Sequence, residues 1–239
     1  MSAGMEALNK KSVPLLLSPV LPRLSWGGRT YQVNEPRFMD NALRLEKNTS
    51  EHDTENVYIS EWVVNKTEWT CEFDVMFLDK FVNWEWPIIF CYQYFDDSNP
   101  YIGAFRLEYN VDGYSCFKGE GVEAGYADAR INEIGVYLKY AVSFTEGTLN
   151  IYLQGKKISE NYKIKSSMPV KCLSKIILGY GGTNGFNGCI KNFRFSSTVH
   201  TAEKIAADSK LDELPVEEDT VLYMPLKKDL SMYGHYYND

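Results

Sequence analysis

Glu72 and Asp74 stand two residues apart in Glu72-Phe-Asp74, a spacing with chemical potential. In a strand, positions i and i+2 project from one face. Retaining glycoside hydrolysis uses two carboxyl groups roughly 5–5.5 Å apart. Flanked by Thr70 and Met76, the same two residues also describe the polar side of an ordinary sheet, and that is the reading adopted. Glu120 with Glu123, and Asp96 with Asp97, read as solvated loop charges. His52, His200 and His235 are far apart and show neither HxH nor HExxH spacing, so no zinc site or triad is indicated. Gly119-Glu-Gly121 and Gly179-Tyr-Gly-Gly182 lack the lysine and the strand–glycine–helix context of a phosphate loop, and read as turns. The five cysteines, Cys71, Cys91, Cys116, Cys172 and Cys189, form no CxxC pair, which favours buried free thiols over a disulfide framework.

Binding chemistry is better represented. Asn83-Trp84-Glu85-Trp86-Pro87 sets two tryptophans around a glutamate. Asp96-Asp97-Ser-Asn99-Pro-Tyr101 gathers carboxylates, an amide and an aromatic ring, and Gly125-Tyr126-Ala-Asp128 adds an aromatic–acid pair, all three read as loops. A flat ring suits the apolar face of a pyranose and planar polar groups suit its hydroxyls. Trp84, Trp86, Tyr101, Tyr126 and Asp128 are therefore the candidate ligand-binding residues. The competing reading is that Trp84 or Trp86 packs in the core and that 96–99 is a plain turn with Asx hydrogen bonds.

These loops need a framework, and the sequence describes one. Of 239 residues, 44% are hydrophobic and 24% charged, the composition of a globular chain. Trp69–Phe77 places apolar residues at 69, 71, 73, 75 and 77 with polar ones between, the period of a half-buried strand. Similar runs cover Pro87–Phe95, Gly103–Asn110, Tyr137–Thr145, Thr148–Gln154, Lys175–Tyr180 and Cys189–Ser196, with Glu146-Gly147 and Gly155-Lys156 as tight turns. One helix is expected over Thr201–Leu214, capped by Thr201 and stopped by Pro215. The pattern predicts an all-β, two-sheet antiparallel β-sandwich with one short helix and extended terminal arms. The aromatic content of 14% is assigned mainly to its core. With 25 basic against 32 acidic residues, a net charge of −7, nucleic acid is excluded as a general partner. Nothing approaches the apolar length of a membrane span. Val13–Leu21, broken by Pro14 and Pro19, reads as an extended arm rather than a signal peptide, so cytoplasmic synthesis is expected.

Three segments in order carry a resemblance. Phe38-Met-Asp-Asn-Ala-Leu-Arg-Leu-Glu46 resembles the opening strand of laminin-G-like domains. Glu133–Ile158, with Leu149-Asn-Ile-Tyr-Leu-Gln-Gly-Lys156, resembles their glycine hairpin. Gly185-Phe-Asn-Gly-Cys-Ile-Lys-Asn-Phe-Arg-Phe195 with Thr201-Ala-Glu-Lys-Ile205 resembles their late strand and closing helix. Over residues 38–208 the chain is thus similar to the concanavalin A-like lectin/glucanase superfamily, which implies a jelly-roll sandwich. The cysteine pairing that the family builds from the position of Cys189 is not expected, because no cysteine follows it. Val221-Leu-Tyr-Met-Pro-Leu-Lys-Lys-Asp-Leu-Ser-Met-Tyr-Gly234 resembles the family's first strand but sits after the closing helix, as a permuted strand or one that augments a neighbouring subunit. The expected organisation is an arm over 1–22, the sandwich over 23–208 and a C-terminal extension over 209–239.

The resemblance also bears on activity. Glucanases of the superfamily carry Glu-x-Asp-x-Glu or Glu-x-Asp-x-x-Glu, and here Met76 and Phe77 occupy the place of the second glutamate. No catalysis is expected. Family members that hold Ca²⁺ at a sandwich edge imply a calcium site at Asp96, Asp97 and Asn99, with no other cofactor required. The functional expectation is a non-catalytic, lectin-like adhesion or assembly module of a bacteriophage virion, a capsid decoration or a tail or fibre component. It would dock on other structural proteins through its arms, form a homo-oligomer, and meet glycans at the virion surface. The alternatives are a β-glucanase-like glycoside hydrolase and a host surface carbohydrate-binding protein.

Overall fold

The computed structural model describes residues 15–16, 37–45, 57–59, 67–79, 88–95, 103–109, 114–119, 122–130, 134–145, 147–158, 162–163, 173–180, 187–227 and 231–234. In chain order the strands are β1 (Leu15–Leu16), β2 (Arg37–Met39), β3 (Ala42–Leu45), β4 (Val57–Ile59), β5 (Glu68–Phe77), β6 (Ile88–Phe95), β7 (Gly103–Tyr109), β8 (Tyr114–Gly119) and β9 (Val122–Arg130). They continue with β10 (Tyr137–Thr145), β11 (Thr148–Leu153), β12 (Lys156–Lys157), β13 (Tyr162–Lys163), β14 (Leu173–Tyr180) and β15 (Gly188–Ser196). Helix α1 (Ala202–Asp208), β16 (Thr220–Met224) and β17 (Ser231–Gly234) follow. Their described pairings are antiparallel and make two sheets. The first runs β1-β17-β16-β15-β5-β10-β11-β12, and the second β4-β14-β6-β7-β8-β9.

Local chemistry sets the tight connections. Asp40 and Asn41 both have positive φ between Met39 and Ala42, and Gln154 and Gly155 do the same between Leu153 and Lys156. Two left-handed residues in succession make the two-residue turn whose twist matches the flanking strands. The second turn is therefore Gln154-Gly155, one residue earlier than the sequence pattern placed it.

The sheets close over one core built by alternation. Trp69, Cys71, Phe73, Val75 and Phe77 of β5 and Tyr140, Val142 and Phe144 of β10 face Phe90 and Tyr92 of β6 and Ile176 and Leu178 of β14. Aromatic rings join the layers, with Trp69 5.7 Å from Tyr92 and Phe73 6.1 Å from Phe90, and pack within the first sheet, with Trp69 5.4 Å from Phe144 and Phe73 5.8 Å from Tyr140. Such pairs add about 0.5–1.5 kcal/mol each beyond the area they bury.

β15 organises the first sheet. One edge pairs with β5, while the other is divided between two strands: β3 takes Gly188–Ile190, and β16 takes Phe193–Ser196. The segment after α1 thus supplies a strand to its own sheet.

The helix is shorter than the 201–214 expected. Thr201 caps it through its hydroxyl, which accepts from the Lys204 amide at 3.2 Å, but helical structure stops at Asp208. Beyond it the carbonyls of Leu211 and Asp212 accept from Lys139 and Asn192 of the sheet. These partners tie the segment to the sheet along a path that is not helical.

Truncating Phe73 removes ring contacts to both layers at a fully buried position. Phe73→Ala is expected to cost about 3–5 kcal/mol, read as a lower denaturation midpoint at unchanged slope.

Candidate functional site

Glu72 and Asp74 do share a face, as their spacing requires, but that face is not solvated: β5 is buried continuously from Trp69 to Phe77. A β-bulge builds what lies over them. Lys191 of β15 is opposite Asp74, and Arg194 is opposite Glu72, so the two residues between them on β15 stand against one, Phe73, on β5. The extra residue is accommodated at Asn192, whose φ is +54°. Ile190, Phe193 and Phe195 all stay in the core despite their uneven spacing, and Arg194 is delivered to the outer side, next to Glu72.

Arg194 is the hub. It is fully buried, and its Nη2 donates to the carboxylates of both Glu72 and Asp208. Nε donates to Glu72 at 3.1 Å, while Nη1 donates to the Pro215 carbonyl at 3.0 Å and lies 3.4 Å from Glu217. Asp74 accepts from Asn192 Nδ2 at 2.7 Å and lies 3.7 Å from Lys139 Nζ. Burial pushes its carboxyl above the usual range despite those partners.

The cover is α1 with the returning segment 209–219. Ile205 packs on Ala141 and Tyr152, the outward residues of β10 and β11. The helix sits so close to the β11–β12 turn that a Cβ on Gly155 would fall 2.8 Å from Ala206 Cα. Lys204 Nζ bridges Asp208 at 3.2 Å and Glu217 at 2.6 Å. Between helix and sheet remains a cavity of about 10 Å³ lined by Glu72, Asp74, Lys139, Ile205, Asp208 and Leu214. That is about the space one water needs and far too little for a sugar.

His200 completes the network. Its backbone amide donates to Thr70 Oγ1 at 2.8 Å, and its Nε2 lies 2.9 Å from Asp219 Oδ2. Nδ1 lies 3.2 Å from Glu72 Oε2, at ion-pair distance without the alignment of a hydrogen bond. Burial works against a charged ring, but the two carboxylates outweigh it and the pKa is raised above the ordinary histidine value.

Glu72, His200 and Asp208 bring ligand atoms within 4.8 Å of one another, a metal-like spacing. The residues do not fit an ion, because the Arg194 guanidinium already holds both carboxylates and would lie against any cation placed there. Nor are Glu72 and Asp74 placed to flank a glycosidic bond: one is held by Arg194, the other by Asn192, and both lie under α1 and 209–219.

Of the residues singled out in the sequence, Tyr126 and Asp128 lie in β9, an edge strand of the second sheet, and not in a loop; Tyr126 is in register with Cys116 of β8. Trp84, Trp86, Asp96, Asp97, Asn99 and Tyr101 fall outside the described residues. The sequence reading did not single out Arg194, Asp208, Glu217 or Asp219, and it set His200 aside as isolated. The available signal was the broken parity of Ile190-Lys-Asn-Phe-Arg-Phe195, where the apolar positions are spaced three and then two.

No family model matches the sequence, and no curated protein matches it. Among solved structures, the chain is similar to Trypanosoma rangeli sialidase in complex with 2,3-difluorosialic acid, with a TM-score of 0.59 and 9% identity over 74% of this chain and 28% of that one. It is also similar to the enzymatically active domain of bacteriophage CBA120 tailspike protein 2, with a TM-score of 0.53 and 14% identity over 77% of this chain and 29% of that one. The chain spans less than a third of the length of either. At such identity the likeness is one of fold. The chain is an antiparallel two-sheet β-sandwich with one short helix.

Removing the guanidinium strands two buried carboxylates. Arg194→Met is expected to cost about 3–5 kcal/mol. Glu217→Gln, at the partly exposed rim of the same network, should cost less than about 1 kcal/mol. Urea titration of the two variants beside the parent measures the difference.

Proposed function

We propose that the chain is a non-catalytic, laminin-G-like lectin module for adhesion or assembly, displayed on a virion. The observation that carries this reading is the closure of the Glu72–Asp74 face. The carboxylate pair with the most catalytic spacing is engaged by Arg194 and Asn192 and roofed by α1 and 209–219. Recognition is then left to other parts of the chain, and in this reading to Tyr126 and Asp128, which occupy alternate positions of the edge strand β9. Trp84, Trp86 and Tyr101 supply further aromatic surface in this reading, and Asp96, Asp97 and Asn99 an oxygen-rich calcium site. The acidic net charge of −7 favours neutral glycans or protein surfaces over nucleic acid. That two neighbours in fold are a sialidase and a bacteriophage tailspike supports a carbohydrate-facing role in a larger particle.

A glycan array probed with and without Ca²⁺ tests this. Binding is expected, with a loss of roughly tenfold or more in Tyr126→Ala or Trp84→Ala at unchanged melting temperature, since stacking anchors are worth on the order of 1–3 kcal/mol. No reducing ends should be released from β-glucans. Release that disappears in Glu72→Gln, in a variant whose melting curve matches the parent, overturns the non-catalytic reading. A strict monomer that neither binds glycans nor copurifies with any virion protein overturns the assembly role.

A further inference from the structure

Between leaving β15 at Ser196 and rejoining it at Thr220, the chain makes one excursion whose two ends are stitched together. The Ser197 amide donates to the Asp219 carbonyl at 2.9 Å, the Thr198 hydroxyl donates to the Asp219 carboxylate, and His200 Nε2 lies 2.9 Å from the same carboxylate. The other side of the same imidazole faces Glu72 of β5. One buried ring therefore touches the start of the excursion, its end, and the sheet it covers. Asp219 immediately precedes β16, so whatever holds it also holds the first residue of that strand against β15.

We propose that His200 is a pH-operated clasp: protonated, it holds 197–219 closed on the first sheet, and deprotonated, it lets that segment open as a unit while the sandwich stays folded. The surrounding charges explain why the ring matters. Glu72 faces it from β5, Asp208 from α1, and Glu217 and Asp219 from the returning segment. Arg194 of β15 and Lys204 of α1 are the permanent cations paired with those carboxylates. Four carboxylates thus meet two fixed positive charges, and a protonated His200 adds a third. A neutral imidazole has a single N–H. It can serve Glu72 or Asp219 but must turn a lone pair toward the other.

The direction of the effect follows from the folded-state shifts. His200 titrates above its unfolded value, so its contribution is complete below the unfolded pKa and is lost as pH rises through the folded one. For Asp219, burial opposes ionisation, but Thr198 and His200 outweigh it and hold its carboxyl below the usual range. Its contribution is therefore lost only in acid. The clasp is closed below the ordinary histidine pKa and opens as pH rises through the raised folded-state one.

Hydrogen exchange of the full chain, followed by mass spectrometry and corrected for intrinsic rates, tests this. Between about pH 6 and about pH 9, opening of peptides in 197–219 is expected to rise roughly tenfold or more, with protection of 137–145 unchanged. His200→Gln should leave the segment at its open level throughout and abolish the pH response. Asp219→Asn should move the response to lower pH. Gly155→Ala, which presses on Ala206 without altering a charge, should raise opening at every pH and keep the response. A pH response that survives His200→Gln, or a segment that opens only together with 137–145, overturns the proposal.

Discussion

A guanidinium with no exposure to water needs carboxylates, and the requirement at Arg194 organises everything outside the core. Glu72 comes from the neighbouring strand, Asp208 from the end of the helix and Glu217 from the segment that follows it, so a single side chain draws three parts of the chain to one point. Networks of this kind rarely add net stability over a well-packed apolar cluster of the same volume. What this one imposes is a single seating: slide α1 by one turn and Asp208 leaves Arg194 while Ile205 leaves Ala141 and Tyr152. Charge and packing specify the same position, and the glycine at 155 leaves the helix room to reach it.

The bulge is the other half of that arrangement. A regular β15 would have to choose between burying Ile190 and burying Phe193 with Phe195, because positions three apart fall on opposite faces. One extra residue at Asn192 allows both, and the Asn192 amide then serves Asp74 and the Asp212 carbonyl. A local irregularity in a strand thus connects an apolar core on one side to a polar network on the other.

Much of the framework was legible beforehand because it rests on period-two alternation and turn chemistry, both local. Trp69 to Phe77, Tyr137 to Thr145 and the Thr201 cap stand where the residue pattern puts them. The cover was not legible. Thr70, Glu72 and Asp74 read the same whether a polar face meets water or a polar segment of the same chain, and nothing near Glu72 announces a partner at Arg194. Helix length was overestimated because the chain beyond Asp208 is tied to the sheet by Lys139 and Asn192, distant in sequence, through the carbonyls of Leu211 and Asp212. Gly125-Tyr126-Ala-Asp128 reads as a loop from its small residues, yet pairing with β8 makes it strand. In each case the deciding contact lies far along the chain.

The divided edge of β15 also bears on how the molecule comes to be folded. Its neighbours are remote in sequence: Leu43 meets Ile190, Cys71 meets Phe195, and the remaining half-edge waits for Leu222. The β10–β11 hairpin can form from adjacent residues and add to β5, but the sheet does not extend past β5 until residues near 190 arrive. Topologies dominated by such distant pairings fold slowly, because loop-closure entropy must be met before the contacts compensate it. During that interval the apolar face of β5 has no completed sheet around it. Synthesis of this chain is therefore a race between the arrival of β15 and association of the exposed β5 with another copy, a hazard common to sandwiches assembled from both ends of the sequence.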